Sequence, residues 1–464
     1  MTHSSYSLTH YLLIQIQMHQ TIRTILLLML SISIIACGES DYRDSIPKDS
    51  QLIMSFNPAD SEVVSRLEIL NSLIGIDDMQ NSGLDTKSRP YMFITSVGNI
   101  GLCAKVADEE KVSSFFERLS VRPEIHIIST RNGCSFYSCR NFVVGWSSST
   151  LLALGPLLPS AHSEAVGELS GYLDSDDSFA ECRLHPYLNE TDNHAISLAT
   201  EATALPGPVI PFLTLGLPHG SDLSSCIISA DMDIAGKTLM ISSRPMSADK
   251  KMSKQLSMTY SSLRPITSAY LPNMPADASF GLFMNIDGKT FFPVISSAET
   301  AVSLLAGINQ AIDLNAIIKS LYGDFMLYTM PSSQTAIHIA GALRDKGFLQ
   351  DISYWRSSLP EDYSLAPTSG SPDEYLLRSP HSDLCFGVST EPQLQFYAGP
   401  TVSTSRQSLV ASSTPLPSNI MKFIEGKKIA FVSDISSLMP GRDNATTISL
   451  PARLNLRRIV YTVK

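Results

Sequence analysis

IPKDSQLIMSFN at residues 46–57 and MPADASFGLFMN at residues 274–285 are two copies of one pattern. Each copy reads Pro-x-Asp, then an apolar strand-like run, then Asn. A helical stretch follows each copy, at 59–76 and at 297–314. Apolar residues recur there at steps of three and four, which marks one buried helix face. The pattern therefore predicts an internal duplication.

Later segments continue the two copies in the same order along the chain. Strand-like hairpins with an amphipathic helix between groups indicate an α+β fold with antiparallel sheets. We therefore predict two related halves, 46–265 and 271–464, each a mainly antiparallel sheet with amphipathic helices packed on one face. The further matching pairs of segments are 91–96 with 325–330, 100–120 with 336–358, 141–156 with 384–400, 194–202 with 428–436, and 223–232 with 456–464.

The two copies differ at their ends. In the first copy, the strand ending at Met232 turns back and returns as LMISSRP at 239–245. The second copy reaches Lys464 where the equivalent turn begins. We expect the second half to lack its last strand, either because its sheet has one strand fewer or because the chain is truncated.

Residues 18–36 have the parts of a secretory signal peptide. Arg23 precedes an almost unbroken apolar run at 25–35, and the small residue Ala36 closes it. The run is too short for a confident transmembrane helix, which needs roughly 20 apolar residues. Met18 opens a signal of ordinary length, so we interpret residues 1–17 as a mis-annotated start.

The segment Ile34-Ile35-Ala36-Cys37 matches the bacterial lipobox. We therefore predict that Cys37 is lipidated and that two or three acyl chains, palmitate among them, anchor the mature protein. One acyl chain anchors only marginally, so several are needed for stable attachment. An ordinary signal peptide with a chance cysteine and an uncleaved anchor are the alternatives. Residues 37–45 would then be a lipidated tether.

The composition bounds the class of function. The chain has 464 residues, 44% of them apolar, and a net charge of −10. This supports a sizeable core. Nucleic-acid binding needs a basic face that displaces counterions from phosphates, and the sequence offers no dense run of Lys or Arg. We predict no nucleic-acid partner.

Six cysteines remain once Cys37 is assigned among the seven. Most of them sit in apolar strand-like runs, where cysteine behaves as a small core residue. Cys134 and Cys139 are the close pair. On a continuous strand they would lie about 16 Å apart, so a disulfide forms only if the chain between them turns back. Ser45, in Asp44-Ser45-Ile46, is a candidate O-glycosylation site.

The motifs that suggest chemistry are incomplete. The triplets 236–238 and 288–290 read Gly-Lys-Thr, but the glycine of a phosphate-binding loop is missing upstream, so both are interpreted as polar hairpin turns. The acidic run 174–177 lacks the glycine and glutamate of a calcium loop. The histidines show no metal-ligand spacing. We predict no catalytic residue, no metal site and no cofactor.

The arrangement resembles a family of Bacteroidetes lipoproteins with a domain of unknown function. The segments that carry the resemblance are Cys37, the Ile-Pro-x-Asp opening at 46–50, and 97–119, 141–146 and 424–438. The resemblance covers nearly all of the mature chain, and it implies the lipobox, the short tether and repeated strand–helix blocks. It implies no catalytic residue, and the closing strand of the family is missing here.

These patterns predict a membrane-anchored lipoprotein of the cell envelope, in the outer membrane, with the periplasmic face or the cell surface left open. We favour a non-catalytic binding or structural module whose partner is an envelope protein or a glycan. The alternative is an envelope hydrolase whose site is assembled from residues distant in sequence. The apolar stretches 151–159 and 206–218 either belong to the core or line a groove.

Overall fold

A computed structural model shows how these segments fold. The structure describes residues 41–65, 81–119, 125–131, 133–139, 141–175, 177, 179–191, 193–205, 217, 221–296, 313–331, 336–380, 383–435 and 455–464. The predicted start, signal peptide and lipidated Cys37 lie outside these residues, as does most of 206–218.

In the described ranges, twenty strands form the framework. Their bounds are β1 Leu52–Phe56, β2 Tyr91–Ile94, β3 Ile100–Lys105, β4 Ile125–Arg131, β5 Cys134–Cys139, β6 Phe142–Trp146, β7 Thr150–Gly155, β8 Ile196–Glu201, β9 Cys226–Ala235, β10 Thr238–Ser247, β11 Leu263–Arg264, β12 Phe280–Asp287, β13 Leu321–Met330, β14 Ala336–Leu343, β15 Ser364–Pro367, β16 Glu374–Arg378, β17 Leu384–Ser389, β18 Gln395–Gly399, β19 Ile429–Asp434 and β20 Arg458–Val463.

Helices connect the groups of strands. They are α1 Glu109–Leu119, α2 His162–Leu173, α3 Lys250–Ser261, α4 Gly288–Ser296, α5 Leu314–Ser320, α6 Ile352–Ser357, α7 Val402–Gln407 and α8 Ser418–Ile424. Residues 61–65 are also helical. Within the described ranges, none of the helices has the length and apolar character needed to cross a bilayer.

The strands hydrogen-bond into one mostly antiparallel sheet, which confirms an α+β fold. The order across the sheet is β4-β5-β6-β7-β3-β2-β1-β8-β9-β10-β20-β19-β12-β13-β14-β18-β17-β16-β15. The short strand β11 pairs with the end of β12. Among these described pairings, β10 with β20 is the parallel one.

The pairing order of β1–β9 recurs in β12–β20. The first set runs 4-5-6-7-3-2-1-8-9, and adding eleven to each label gives the second set, 15-16-17-18-14-13-12-19-20. β10 lies between β9 and β20 and pairs with both. The predicted boundary at residue 265 does not separate two sheets, because β11 pairs with β12.

Helices cover both faces of the sheet, so the prediction of helices on one face is wrong. Val143 packs in a cluster with Leu169 of α2, whereas its neighbour Val144 packs in another with Phe116 of α1. Successive residues of a strand point to opposite faces, so the two helices lie on opposite sides. Strands covered on both faces are near-continuously apolar, and β7, with the sequence TLLALG, is buried along its whole length.

The other half of the sheet is covered in the same way. On β12, Phe283 packs in a cluster with Ile420 of α8, while the next residue, Met284, packs with Trp355 of α6. The core therefore lies in two layers, one on each face of the sheet, between the strands and the helices that cover them.

Candidate functional site

A polar cavity of about 790 Å³ lies where β2 begins and β3 ends. A 3-10 turn at Tyr42–Ser45 closes one side of it. We call this cavity the tether-side pocket, because Asp41, Tyr42 and Arg43 in its lining belong to the predicted tether. Its lining residues are Asp41, Tyr42, Arg43, Asp85, Ser88, Arg89, Tyr91, Lys105, Val106, Ala107, Ser148, Ser149 and Glu190.

The turn is held against the sheet by its own side chains. Asp41 caps it by accepting a hydrogen bond from the backbone N–H of Arg43. The phenol of Tyr42 donates to the carbonyl of Arg89 at 2.9 Å. Asp44 accepts a hydrogen bond of 2.7 Å from the backbone N–H of Phe179. The described part of the predicted tether, 41–45, is therefore folded onto the body of the protein.

An ion-pair chain runs along one wall of the pocket. The Nη2 atom of Arg43 lies 2.6 Å from a carboxylate oxygen of Asp41, and its Nη1 atom lies 3.6 Å from Glu190. The phenol of Tyr91 donates to Glu190 at 2.6 Å. Burial alone would raise the pKa of Asp41, but the hydrogen bonds and charge of Arg43 outweigh it and lower that pKa.

Asp85, Tyr42 and Tyr91 are also fixed in one protonation state. Hydrogen bonds from the backbone of Lys87 and from Ser88 lower the pKa of Asp85. Burial raises the pKa values of Tyr42 and Tyr91 well above their ordinary range. The aspartates are therefore ionised and the phenols protonated at neutral pH, so none of them is tuned to exchange a proton.

Lys105 is the cation left open to a ligand. Its ammonium group makes no hydrogen bond or ion pair of 4.0 Å or less with the rest of the described chain, although the charges of Asp41 and Asp85 act on it. Its backbone carbonyl accepts from the N–H of Asp85 at 2.9 Å, which fixes the end of β3. The lining balances three cations against three carboxylates, an arrangement that suits a polar or zwitterionic ligand.

The folded structure disfavours two of the predicted modifications, glycosylation of Ser45 and a Cys134–Cys139 disulfide. Ser45 is only 7% exposed, so its hydroxyl is not accessible to a glycosyl donor in the folded protein. Residues 134–139 form one extended strand, so the turn that a Cys134–Cys139 disulfide requires is not formed. Cys134 is a buried free thiol.

The incomplete motifs have structural places. Gly236 and Lys237 form the predicted turn between β9 and β10, with Gly236 at a φ of +59°, and Thr238 begins β10. Residues 288–290 instead begin α4, so the prediction of a hairpin turn is wrong for this triplet. Asp177, in the acidic run, pairs with Lys48 at 3.0 Å. In the part of the chain that is described, no three metal-ligating side chains cluster.

Sequence reasoning missed one close pair, Ser138 with His162. The Oγ atom of Ser138 lies 2.8 Å from Nδ1 of His162 at the start of α2. Ser138 is in β5, which is paired on both sides by β4 and β6. Its backbone is therefore committed to the sheet, and an oxyanion hole needs backbone donors that are free to turn toward a substrate.

Sequence reasoning also missed the tether-side pocket. Its charged residues range from Asp41 to Glu190, and no two of the ion-pairing partners form a recognised motif. The signal available in the sequence was weak: charged residues such as Arg89 and Lys105 flank apolar strands.

Comparison with known proteins assigns a family. A family model described as "Domain of unknown function (DUF4836)" matches residues 65–360. No curated protein matches. A solved structure titled "Structure of crystal form IV of TP0453" is 11% identical, with a TM-score of 0.29, and the match covers 44% of this chain and 79% of that one.

A second solved structure, "Structure of crystal form I of TP0453", is also 11% identical, with a TM-score of 0.25, and covers 43% of this chain and 74% of the other. Both TM-scores are below 0.5, so neither likeness establishes a common fold. The family model covers well over half of the sequence, and the chain belongs to the family of proteins with the domain of unknown function DUF4836.

Proposed function

We propose that the mature protein is a lipid-anchored lipoprotein of the cell envelope that binds a polar ligand in the tether-side pocket without transforming it. The lipobox that ends at Cys37 supports the anchor. The pocket supports the binding role, because its two aspartates and its phenols are held in fixed protonation states. The charged lining that the turn at Tyr42–Ser45 closes against the sheet is the observation that carries the proposal.

The pocket would lie close to the membrane. Only residues 38–40 separate Cys37 from the folded Asp41. Four Cα–Cα steps of an extended chain span at most about 14 Å. The acyl chains would thus hold the turn at Tyr42–Ser45 and its pocket near the headgroup region, where envelope glycans and membrane proteins are available as ligands.

A saccharide fits the chemistry of the pocket best. Hydroxyl groups of a sugar can both donate to carboxylates and accept from cations. The lining offers both kinds of partner, in Lys105 and in Asp85, with the hydroxyls of Ser148 and Ser149 beside them. The equal numbers of positive and negative side chains favour a ligand without large net charge.

The anchor and the pocket are tested separately. Intact cells that express an epitope-tagged chain are treated with proteinase, beside a Cys37→Ala control. Loss of the tag only when Cys37 is present indicates a surface anchor, and survival of a membrane-bound tag indicates the periplasmic face. A Cys37→Ala protein that stays in the membrane fraction contradicts lipid anchoring.

For the pocket, purified protein is titrated with solubilised envelope glycans. Lys105→Met should weaken binding at least tenfold, because it removes the open ammonium group. Lys254→Met, on the exposed face of α3, is the matched control and should leave the affinity unchanged. Equal affinities of both variants and the parent would refute the pocket as the ligand site.

An envelope hydrolase is the second candidate, and the Ser138–His162 contact favours it. A Ser hydroxyl within hydrogen-bond reach of an imidazole can be activated as a nucleophile. If the protein cleaves an envelope polymer, Ser138→Ala should abolish the activity while the Lys105→Met variant loses only substrate affinity. Retained cleavage in Ser138→Ala eliminates this pair as the catalytic centre.

We also propose that the chain arose by duplication of one α+β unit. The collinear sequence blocks and the recurring strand order support this origin. Separate family alignments of 46–265 and 271–464 should align with each other block by block. An alignment that pairs the blocks out of order would contradict the duplication.

A further inference from the structure

A second cleft, of about 530 Å³, lies where β10 and β20 begin side by side. We call it the seam cleft, because it joins strands that are far apart in sequence. It is separate from the tether-side pocket, since the two cavities share no lining residue. Lys237, Thr238, Ala276, Asp277, Thr414, Arg457 and Arg458 line it.

The backbone fixes the cationic side chains of this cleft. The carbonyl of Lys237 accepts hydrogen bonds from the N–H groups of Arg457 and Arg458, at 2.8 and 3.1 Å. The turn at Gly236 therefore places Lys237 next to Arg457 and Arg458. The guanidinium of Arg458 donates to the carbonyl of Ala276, which orients it within the cleft.

The positive charge of the cleft is only partly neutralised. Asp434 pairs with Arg457 at 3.3 Å, and Asp277 is the carboxylate in the lining. Three cations thus face two carboxylates, in a chain whose net charge is −10. Burial and the neighbouring charge of Arg457 lower the pKa of Arg458, and together they outweigh the opposing charge of Asp434.

We propose that the seam cleft is a binding site for a phosphomonoester group. Such a group carries about −1.5 to −2 charges at neutral pH, which complements the excess positive charge. Guanidinium groups present planar forks of donors that match phosphate oxygens. Lys237 is exposed and makes no hydrogen bond or ion pair through its ammonium group with the described chain, so it is available to the same ligand.

A phosphomonoester in the envelope is either on a soluble sugar or on a lipid headgroup, and two arms of one experiment distinguish them. The purified full-length mature protein in detergent is titrated calorimetrically with glucose 6-phosphate. The same protein is mixed with phosphatidylcholine vesicles containing phosphatidic acid and is followed by flotation. Binding in the first arm alone indicates a soluble ligand, and binding in the second indicates a lipid ligand.

The variants test the site itself. Arg458→Gln and Lys237→Gln should each weaken binding at least fivefold. Lys237 is the decisive position, because it lies in an exposed turn and its side chain supports no described contact. Asp434→Asn should tighten binding, because it frees Arg457 from its ion pair while leaving the cation in place. Arg378→Gln, at an exposed arginine on β16, is the matched control and should have no effect.

The proposal is overturned if neither glucose 6-phosphate nor the phosphatidic acid vesicles bind, or if Lys237→Gln and Arg458→Gln retain the parent affinity. It is also overturned if Asp434→Asn weakens binding as much as Arg458→Gln does. Binding by the parent that falls as salt is added, with the expected order of variants, supports it.

Discussion

The guanidinium group of Arg406 makes two hydrogen bonds of 2.7 Å to the carboxylate of Glu374, a residue with 0% exposure. The phenol of Tyr397 donates to the same carboxylate at 2.7 Å, and the hydroxyl of Thr368 also donates to it. Burial alone would raise the pKa of Glu374, but these partners outweigh it and leave the pKa lowered. A charged group is therefore buried with its hydrogen bonds satisfied.

Arg406→Met should lower the free energy of unfolding by about 3 kcal/mol, because it leaves the charge of Glu374 buried and uncompensated. The value is at the low end for buried pairs because the side chain of Arg406 is 45% exposed. Urea denaturation of parent and variant measures the difference. Arg378→Met removes an exposed arginine on β16 and should change stability by less than about 0.5 kcal/mol. Equal losses of stability in the two variants would contradict a stabilising role of the Arg406–Glu374 ion pair.

Acid should destabilise the protein through its buried carboxylates. Burial alone would raise the pKa of Asp231, but hydrogen bonds from Lys464 and Asn189 leave it lowered, as for Glu374. A lowered pKa in the folded state stabilises the fold above the ordinary value and loses that effect as pH falls. The ordinary values are 3.8 and 4.5. The urea midpoint should therefore be unchanged from pH 7 to 6 and fall between pH 5 and 3.

The Arg406→Met variant controls for other acidic groups. Its stability deficit relative to the parent should shrink as pH falls toward 3, because protonation removes the buried charge of Glu374 in both proteins. A deficit that stays constant from pH 7 to pH 3 would show that the ion pair does not govern this step.

The thiols should be unreactive in the native protein. Cys103, Cys134, Cys182, Cys226 and Cys385 are buried and free. Burial raises the pKa of Cys226 to about 11, and it raises the pKa values of the others as well, which suppresses the reactive thiolate. Ellman's reagent should react slowly with the native protein and rapidly in guanidinium.

The number of thiols that react with Ellman's reagent in guanidinium tests the Cys134–Cys139 disulfide. Of the seven cysteines, six remain without Cys37. An unreduced mature protein should show six thiols if Cys134 and Cys139 are both free. A count of four would indicate that they are bonded, against the extended geometry of β5.

Gly101→Ala should destabilise the sheet. Gly101 pairs with Phe93 across β2 and β3, and an added Cβ would lie 2.1 Å from the ring of Phe93. Overpacking of this kind costs about 1–3 kcal/mol. Gly167→Ala is the matched control: it lies on the exposed side of α2 with no atom within 4 Å and should stabilise the protein by about 0.5–1 kcal/mol. Thermal unfolding of both variants measures the two effects, and loss of stability in both would contradict this interpretation.

The sequence predicted the strands more accurately than the packing of helices on the faces of the sheet. The matching strand segments that the structure describes form corresponding strands, such as β1 with β12 and β8 with β19, because alternation and turns are local signals. The face covered by a helix is a tertiary property. The run TLLALG of β7 is buried on both sides, and an apolar run of this kind cannot by itself reveal a second layer of helices.

The candidate sites could not be predicted because their residues meet only in the folded chain. Arg43 and Glu190 lie 3.6 Å apart although 147 positions separate them (190 − 43). Lys237 and Arg457 converge only because β10 and β20 pair in parallel. Neither pair follows a fixed spacing in sequence, so pattern reasoning had no motif to detect.

The parallel pairing of β10 with β20 also governs how the chain is assembled. Its register joins Thr238 to Arg458, a separation of 220 positions (458 − 238). At a synthesis rate of about 5–20 residues per second, β20 emerges about 11–44 s after β10. Until then the outer edge of β10 exposes unpaired N–H and C=O groups that can recruit strands from other molecules. A holdase that shields Thr238–Ser243 during this interval would raise the yield of soluble protein.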